Sequence, residues 1–174
     1  MKKLFTPRVI FVGTLIFTAI FFRLIPHLPN FTPVAAIALF GGAYLGKKYL
    51  SFLIPFAAMI ISDAIIGFHS TMIAVYISFA IVVGIGILLR RKTTVTTVII
   101  ASFTSSLLFF LITNFASWMG GMMPYPLNFS GLMMAYQAGL PFFRNELTGT
   151  LLFNGVFFGT FYFAQLKFPV LKRA

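Results

Sequence analysis

Apolar residues dominate this chain in long runs, and the polar residues collect in the short gaps between them. A membrane-crossing helix takes about 20 mostly apolar residues. The runs predict six helices: Arg8 to Leu24, Pro33 to Gly46, Tyr49 to Gly67, Ser70 to Leu89, Thr93 to Trp118 and Asn145 to Leu166. The second is short for a full crossing. Thr32 before Pro33 reads as an N-cap with proline in the first turn, and Ser70 and Asn145 read as caps of the fourth and sixth helices. The gap between the fifth and sixth helices is long, and its Phe, Met, Leu and Tyr content argues against disorder. Within it, "SGLMMAYQAGL" is expected to form a short helix at the membrane interface.

Composition agrees with the pattern. Of 174 residues, 60% are hydrophobic and only 9% charged, with a mean hydropathy of +1.01. A soluble domain has about a quarter of its residues charged, so an integral membrane protein with one transmembrane domain over residues 1–174 is expected. The start, "MKKLFTPRVIFVGTLIFTAIFF", resembles a signal peptide, but no small-residue cleavage site follows it. It is read as a retained first helix.

Charge then orients the helices. Lys2, Lys3, Arg8, Lys47, Lys48, Arg90, Arg91, Lys92, Lys167, Lys172 and Arg173 fall on one side if six helices alternate, and only Arg23 and Arg144 fall on the other. Basic residues collect on the cytoplasmic side. The expectation is therefore an all-α, six-helix bundle with both termini inside and a long outer loop between helices 5 and 6. The net charge of +11 is explained by orientation rather than by nucleic acid.

Candidate chemistry lies on the outer side. The chain has only two acidic residues, and Asp63 sits about one turn from the outer end of helix 3. Ionisable groups inside a membrane segment face a partner or water. Arg23, at similar depth on helix 1, is the natural partner, either as a structural tie or as one wall of an outward polar site. His27 and His69 lie in outer loops, each able to donate and accept hydrogen bonds. Arg144, Asn145 and Glu146 form a polar triplet at the start of helix 6. Glu146 there would complement the helix dipole, and the planar fork of Arg144 suits a carboxylate or phosphate. Asn114 is an amide near the outer end of helix 5. Trp118 is placed for an interfacial belt, and Tyr125, Tyr136 and Gln137 fall in the long loop, as interfacial anchors or as a cover over a ligand.

Other classes lack their residues. There is no cysteine, the two histidines are far apart, and no metal cluster or cofactor site is expected. No Gly-rich phosphate loop of the ATPase type occurs. Ser102, Thr104, Ser105 and Ser106 read as helix-packing hydroxyls with no acid at their depth, and a proton relay through a chain of carboxylates is disfavoured. Gly42 with Gly46, and Gly155 with Gly159, allow close helix contact.

The stretches "RLIPHLPNFTPVAAIALFGGAYLG", "SDAIIGFH" and "PFFRNELTGTLLFNGVFFG" resemble a family of small bacterial membrane proteins described only as transport proteins. More distantly, the chain is similar to the substrate-binding S components of energy-coupling factor transporters. That resemblance implies an outward pocket for a small solute, vitamin-like or otherwise anionic or amphipathic, whose anionic group Arg23 and Arg144 would hold. The expected location is the bacterial inner membrane, and an energising membrane subunit with two ATPases is the implied partner. It implies Arg23, His27, Asn30, Asp63, His69, Asn114, Arg144 and Glu146 as the ligand-binding positions. The Ala-x-x-x-Ala docking pattern of many S components is missing from helix 1. A membrane enzyme acting on a lipid headgroup at the outer interface, and a structural subunit of a membrane complex, stay open as alternatives.

Overall fold

The computed structural model describes residues 6–172 and is entirely helical. The expected inner cations Lys2, Lys3 and Arg173 lie outside the described residues. Six α-helices follow in order: α1 Pro7–Leu24, α2 Val34–Tyr44, α3 Lys48–Ile66, α4 Met72–Leu89, α5 Val95–Met119 and α6 Phe129–Lys167, with a short 3₁₀ turn at Pro169–Leu171. All but α2 are long and apolar enough to cross a membrane. This is a membrane protein.

α2 sits in the middle. It packs on each of the other five helices, and Val34 through Ala43 are all buried. A helix that is hydrophobic all round belongs inside. Its 11 residues span about 16 Å, roughly half the hydrocarbon thickness, so it ends within the molecule. Close contact holds it there. A Cβ at Gly42 would lie 2.8 Å from the Gly86 Cα of α4, and one at Gly41 would meet the Pro55 ring of α3 at 2.6 Å. On its other side Phe40 and Tyr44 pack against Phe157, Phe158 and Phe161 of α6.

The basic residues tie the end where α2 finishes. Arg8 Nε donates to Tyr44 O at 2.9 Å. Arg90 Nε donates to Gly42 O at 2.7 Å, and its fork also holds Gly46 O and Ser51 Oγ. These bonds satisfy carbonyls that the short helix leaves open. At the opposite end α1 and α3 finish and α2 and α4 begin.

One boundary differs in kind from expectation. The sixth helix begins at Phe129, not Asn145, and only residues 120–128 separate it from α5. The expected long outer loop and separate interfacial helix are one helix, capped by Asn128, whose Oδ1 accepts from Gly131 N at 2.9 Å. Pro141 inside it removes one backbone donor. The ring is exposed, as is Gln137, whose carbonyl loses its partner. Gly131, Ala135 and Gly139 recur every four residues and are buried; a Cβ at Gly139 would press on Phe110 and Asn114 of α5. This small-residue face holds the segment in helix across the proline. Asn145 is thus not a cap. Its Nδ2 donates to Pro29 O in the α1–α2 connection at 3.1 Å. Thr32 and Ser70 do not cap either: Pro33 and Thr71 occupy those positions, without side-chain caps.

Candidate functional site

At the end where α2 begins, a cavity of about 450 Å³ opens between the helices. Its size falls in the range of small-molecule sites. α1 contributes Arg23. The α1–α2 connection contributes His27, Asn30 and Thr32, and the first turn of α2 adds Val34 and Ala35. His69 and Thr71 come from the α3–α4 connection, Thr113, Asn114 and Ser117 from α5, and Glu146 from α6. Met59, Val75, Phe109 and Phe142 supply apolar wall.

Six of the eight positions singled out in the sequence line this space: Arg23, His27, Asn30, His69, Asn114 and Glu146. They converge because the α1–α2 and α3–α4 connections meet α1, α5 and α6 over a central helix that is too short to fill its own column. Asn30 holds the turn into α2 with φ of 62°, a conformation Asn tolerates better than most residues. Asn114 donates to Phe110 O at 2.9 Å.

Asp63 stands one layer behind. Its Oδ1 accepts from Arg23 Nη2 at 2.8 Å, and its Oδ2 accepts from Tyr76 Oη at 2.8 Å. Arg23 Nη1 reaches Ser62 Oγ and, at 3.3 Å, Met59 Sδ. Asp63 is 1% exposed. α1, α3 and α4 are thereby joined through one carboxylate whose two oxygens are both satisfied.

Arg144 is exposed and does not line the cavity. The start of α6 at Phe129 explains this: Arg144 lies more than three turns inside the helix, on a different face from Glu146. Trp118 is buried rather than belted at an interface, and its Nε1 donates to Pro126 O at 3.0 Å. Tyr136 bonds Leu111 O at 3.1 Å. Tyr125, Tyr136 and Gln137 are not among the lining residues.

The sequence did not single out Tyr76, Thr32, Thr71, Thr113, Ser117, Phe109 or Phe142 for the site. For Tyr76 a signal exists: it is the one phenol in α4, and α4 starts a few residues after the helix that carries Asp63. For Thr113 and Ser117 there is none. Both hydroxyls donate to the carbonyl four residues back, as ordinary helix hydroxyls do.

Glu146 differs from its expected role as a first-turn acid. It is mid-helix and 6% exposed. Its Oε1 accepts from Thr150 Oγ1 at 3.0 Å. Ser106 of α5 lies beside the carboxylate, close enough to act on its charge, but neither Ser106 Oγ nor Glu146 Oε2 makes a hydrogen bond of good geometry to any described residue. The hydroxyls of α5 therefore do have an acid at their depth. Among the described residues no group of three or more His, Cys, Asp or Glu side chains can hold a metal ion.

Residues 3–171 match a family described as one of unknown function, DUF6580. The chain belongs to the DUF6580 family. No curated protein and no solved structure matches it.

Proposed function

We propose that this DUF6580 protein binds a small amphipathic solute in the cavity at the α2 N-terminal end, as a transport protein of the inner membrane of bacteria. The carrying observation is the cavity itself, whose walls bring ten polar side chains from distant parts of the sequence to one space. Two further features fit a ligand. The first turn of α2 lines the cavity and no side chain caps it, so the positive end of a helix dipole faces the space. Phe109 and Phe142 also line the space and suit an apolar or ring-containing body.

The lining refines the solute. Arg144 contributes nothing to the walls, and Arg23 is already matched to Asp63. Glu146 adds a negative group. A strongly anionic solute is therefore less favoured than a neutral or zwitterionic one, whose acceptor sits near Arg23 and the α2 amides. Orientation follows from charge: Arg8, Lys47, Lys48 and Arg90 to Lys92 sit at the end away from the cavity, which makes the cavity end the outer one of a six-helix bundle. Movement across the membrane then needs rocking of the helices or an energising partner.

The test is mass spectrometry of small molecules retained by the purified protein. Thr113→Phe places a ring in the cavity, whereas Ile73→Ala alters an exposed apolar site. Retention of a specific molecule by the wild type and Ile73→Ala, and its loss in Thr113→Phe, is the expected result. If no molecule is retained by the wild type, or Thr113→Phe retains it equally well, this function is wrong.

A further inference from the structure

Among the described residues, four buried side-chain atoms have no hydrogen-bond partner: Ser105 Oγ, Ser106 Oγ, Glu146 Oε2 and Asn154 Oδ1. Native proteins leave few such groups, and each needs a reason. Here all four lie on the two helices α5 and α6. Glu146, Thr150 and Asn154 follow each other at four-residue spacing, which places them on one face of α6. Ser102 meets that face from α5, accepting from Asn154 Nδ2 at 2.8 Å, and Ser106 lies beside Glu146. The result is a buried polar seam with the cavity at its Glu146 end. Its other end, at Asn154 and Ser102, lines a separate groove of about 590 Å³.

The unpartnered atoms share one property, although the two serine hydroxyls also carry a proton to donate. All are oxygens with free lone pairs. A hard cation beside Glu146 draws on the lone pairs of Glu146 Oε2, Ser106 Oγ and Thr150 Oγ1 together and leaves the carboxylate ionised; Ser105 Oγ and Asn154 Oδ1 are not among its ligands. Charge fixes the valence. Divalent calcium and magnesium take several carboxylates or a phosphate. The seam holds a single carboxylate, because Asp63 is engaged by Arg23 and Tyr76. The other titratable groups of the cavity wall are Arg23, His27 and His69, and no salt bridge joins any of them to Glu146. A buried carboxylate without a basic partner is costly, and a monovalent cation removes that cost.

We propose that the α5–α6 seam is a binding site for a small alkali cation, held by Glu146 with the hydroxyl oxygens of Ser106 and Thr150 as neutral ligands. The site opens on the outer cavity, so its cation comes from the same side as the solute. On the solute-binding reading above, and resting on it, the cation is the coupling ion: it completes the cavity wall that Glu146 forms. The site itself needs no solute.

The experiment uses the purified full-length protein in detergent, exchanged into choline chloride. Thermal unfolding is followed by the fluorescence of Trp118, the chain's one tryptophan, while NaCl, LiCl or KCl replaces choline at constant ionic strength and pH. A saturable rise of the midpoint with at least one alkali cation is expected. Glu146→Gln keeps the shape and is expected to abolish the rise. Ser106→Ala and Thr150→Val are expected to weaken the apparent affinity about tenfold each, the equivalent of one hydrogen bond to a charged group. They also keep the test usable if Glu146→Gln does not fold. Equal midpoints in choline and all three alkali salts overturn the site, and so does a response that survives in Glu146→Gln or in both hydroxyl variants. Retained solute is measured on the same samples. A cation response without a retained solute leaves the site standing and removes the solute-binding function; retained solute without a cation response does the reverse.

Discussion

Asp63 and Glu146 are the chain's two acidic residues, and both are buried, at 1% and 6% exposure. Their surroundings are opposite. Asp63 has an arginine on one oxygen and a phenol on the other, in a joint between three helices. Glu146 has one threonine hydroxyl on Oε1, nothing on Oε2, and a cavity in front of it. A membrane interior makes an unmatched charge expensive. The first carboxylate is matched within the protein; the second is matched on one oxygen only, and on the proposal above it awaits a cation. Asp63 ties three helices behind the cavity, while Glu146 is part of the cavity wall.

The largest expected effect follows from removing the matched partner. Asp63→Ala strands Arg23 as an unpaired, mostly buried cation. The loss of stability is expected to be about 3–5 kcal/mol, as for other broken buried pairs. Denaturation in mixed micelles measures it. The double variant Arg23→Met with Asp63→Leu is expected to recover most of the loss, since apolar replacement of both members leaves no stranded charge. If Asp63→Ala is as stable as the wild type, the pair is not a tie and the contrast between the two acids fails.

Tyr76→Phe tests the other oxygen of Asp63. It removes a hydrogen bond to a charged acceptor, for an expected cost of about 1.5–3 kcal/mol in the same assay. The cost should shrink to near zero in an Asp63→Leu background, where the phenol has no carboxylate to meet. A cost that persists unchanged there would assign Tyr76 to packing against Phe56 and not to the acid.

How much of this was legible in the sequence depends on what each feature needs. α1 to α5 were readable to within about two residues, because basic clusters and Pro- or Gly-containing gaps stop each apolar run. α6 was not. Pro141 and the polar Arg144–Asn145–Glu146 triplet imitate a loop followed by a helix start, and the feature that overrides them, the Gly131–Ala135–Gly139 face on α5, takes its meaning from a neighbour. That error carried into the site. Placed in a first turn, Glu146 looks like a dipole partner; placed mid-helix, it falls opposite Ser106. The Arg23–Asp63 pair needed only matching depth on adjacent helices and was readable. Its third member, Tyr76, needed the rotation of α4, which no composition encodes.

Glu146→Leu reverses the sign expected at Asp63. In choline chloride, where no alkali cation is present, it removes an uncompensated buried carboxylate and fills the space with apolar volume. A gain in stability of about 1 kcal/mol is expected, in keeping with the cost that functional sites impose on stability. In saturating alkali chloride the wild type should close that gap. A loss of stability in choline chloride would mean that the carboxylate is already matched internally, like Asp63, and the contrast would vanish.

Arg23 and Arg144 repeat the contrast with the smallest expected effect. Arg23 is 12% exposed at its side chain and engaged by Asp63, whereas Arg144 is exposed, with no salt bridge to any described residue and no part in the cavity lining. Arg144→Ala removes a long side chain from an exposed helix face. The change in stability is expected to stay within about 0.5 kcal/mol, with solute retention and the alkali response unchanged. Lost retention in Arg144→Ala would show that Arg144 reaches the solute from outside the cavity walls. The anionic solute that the lining disfavours would then return, because a second guanidinium would stand at the cavity with no carboxylate of its own.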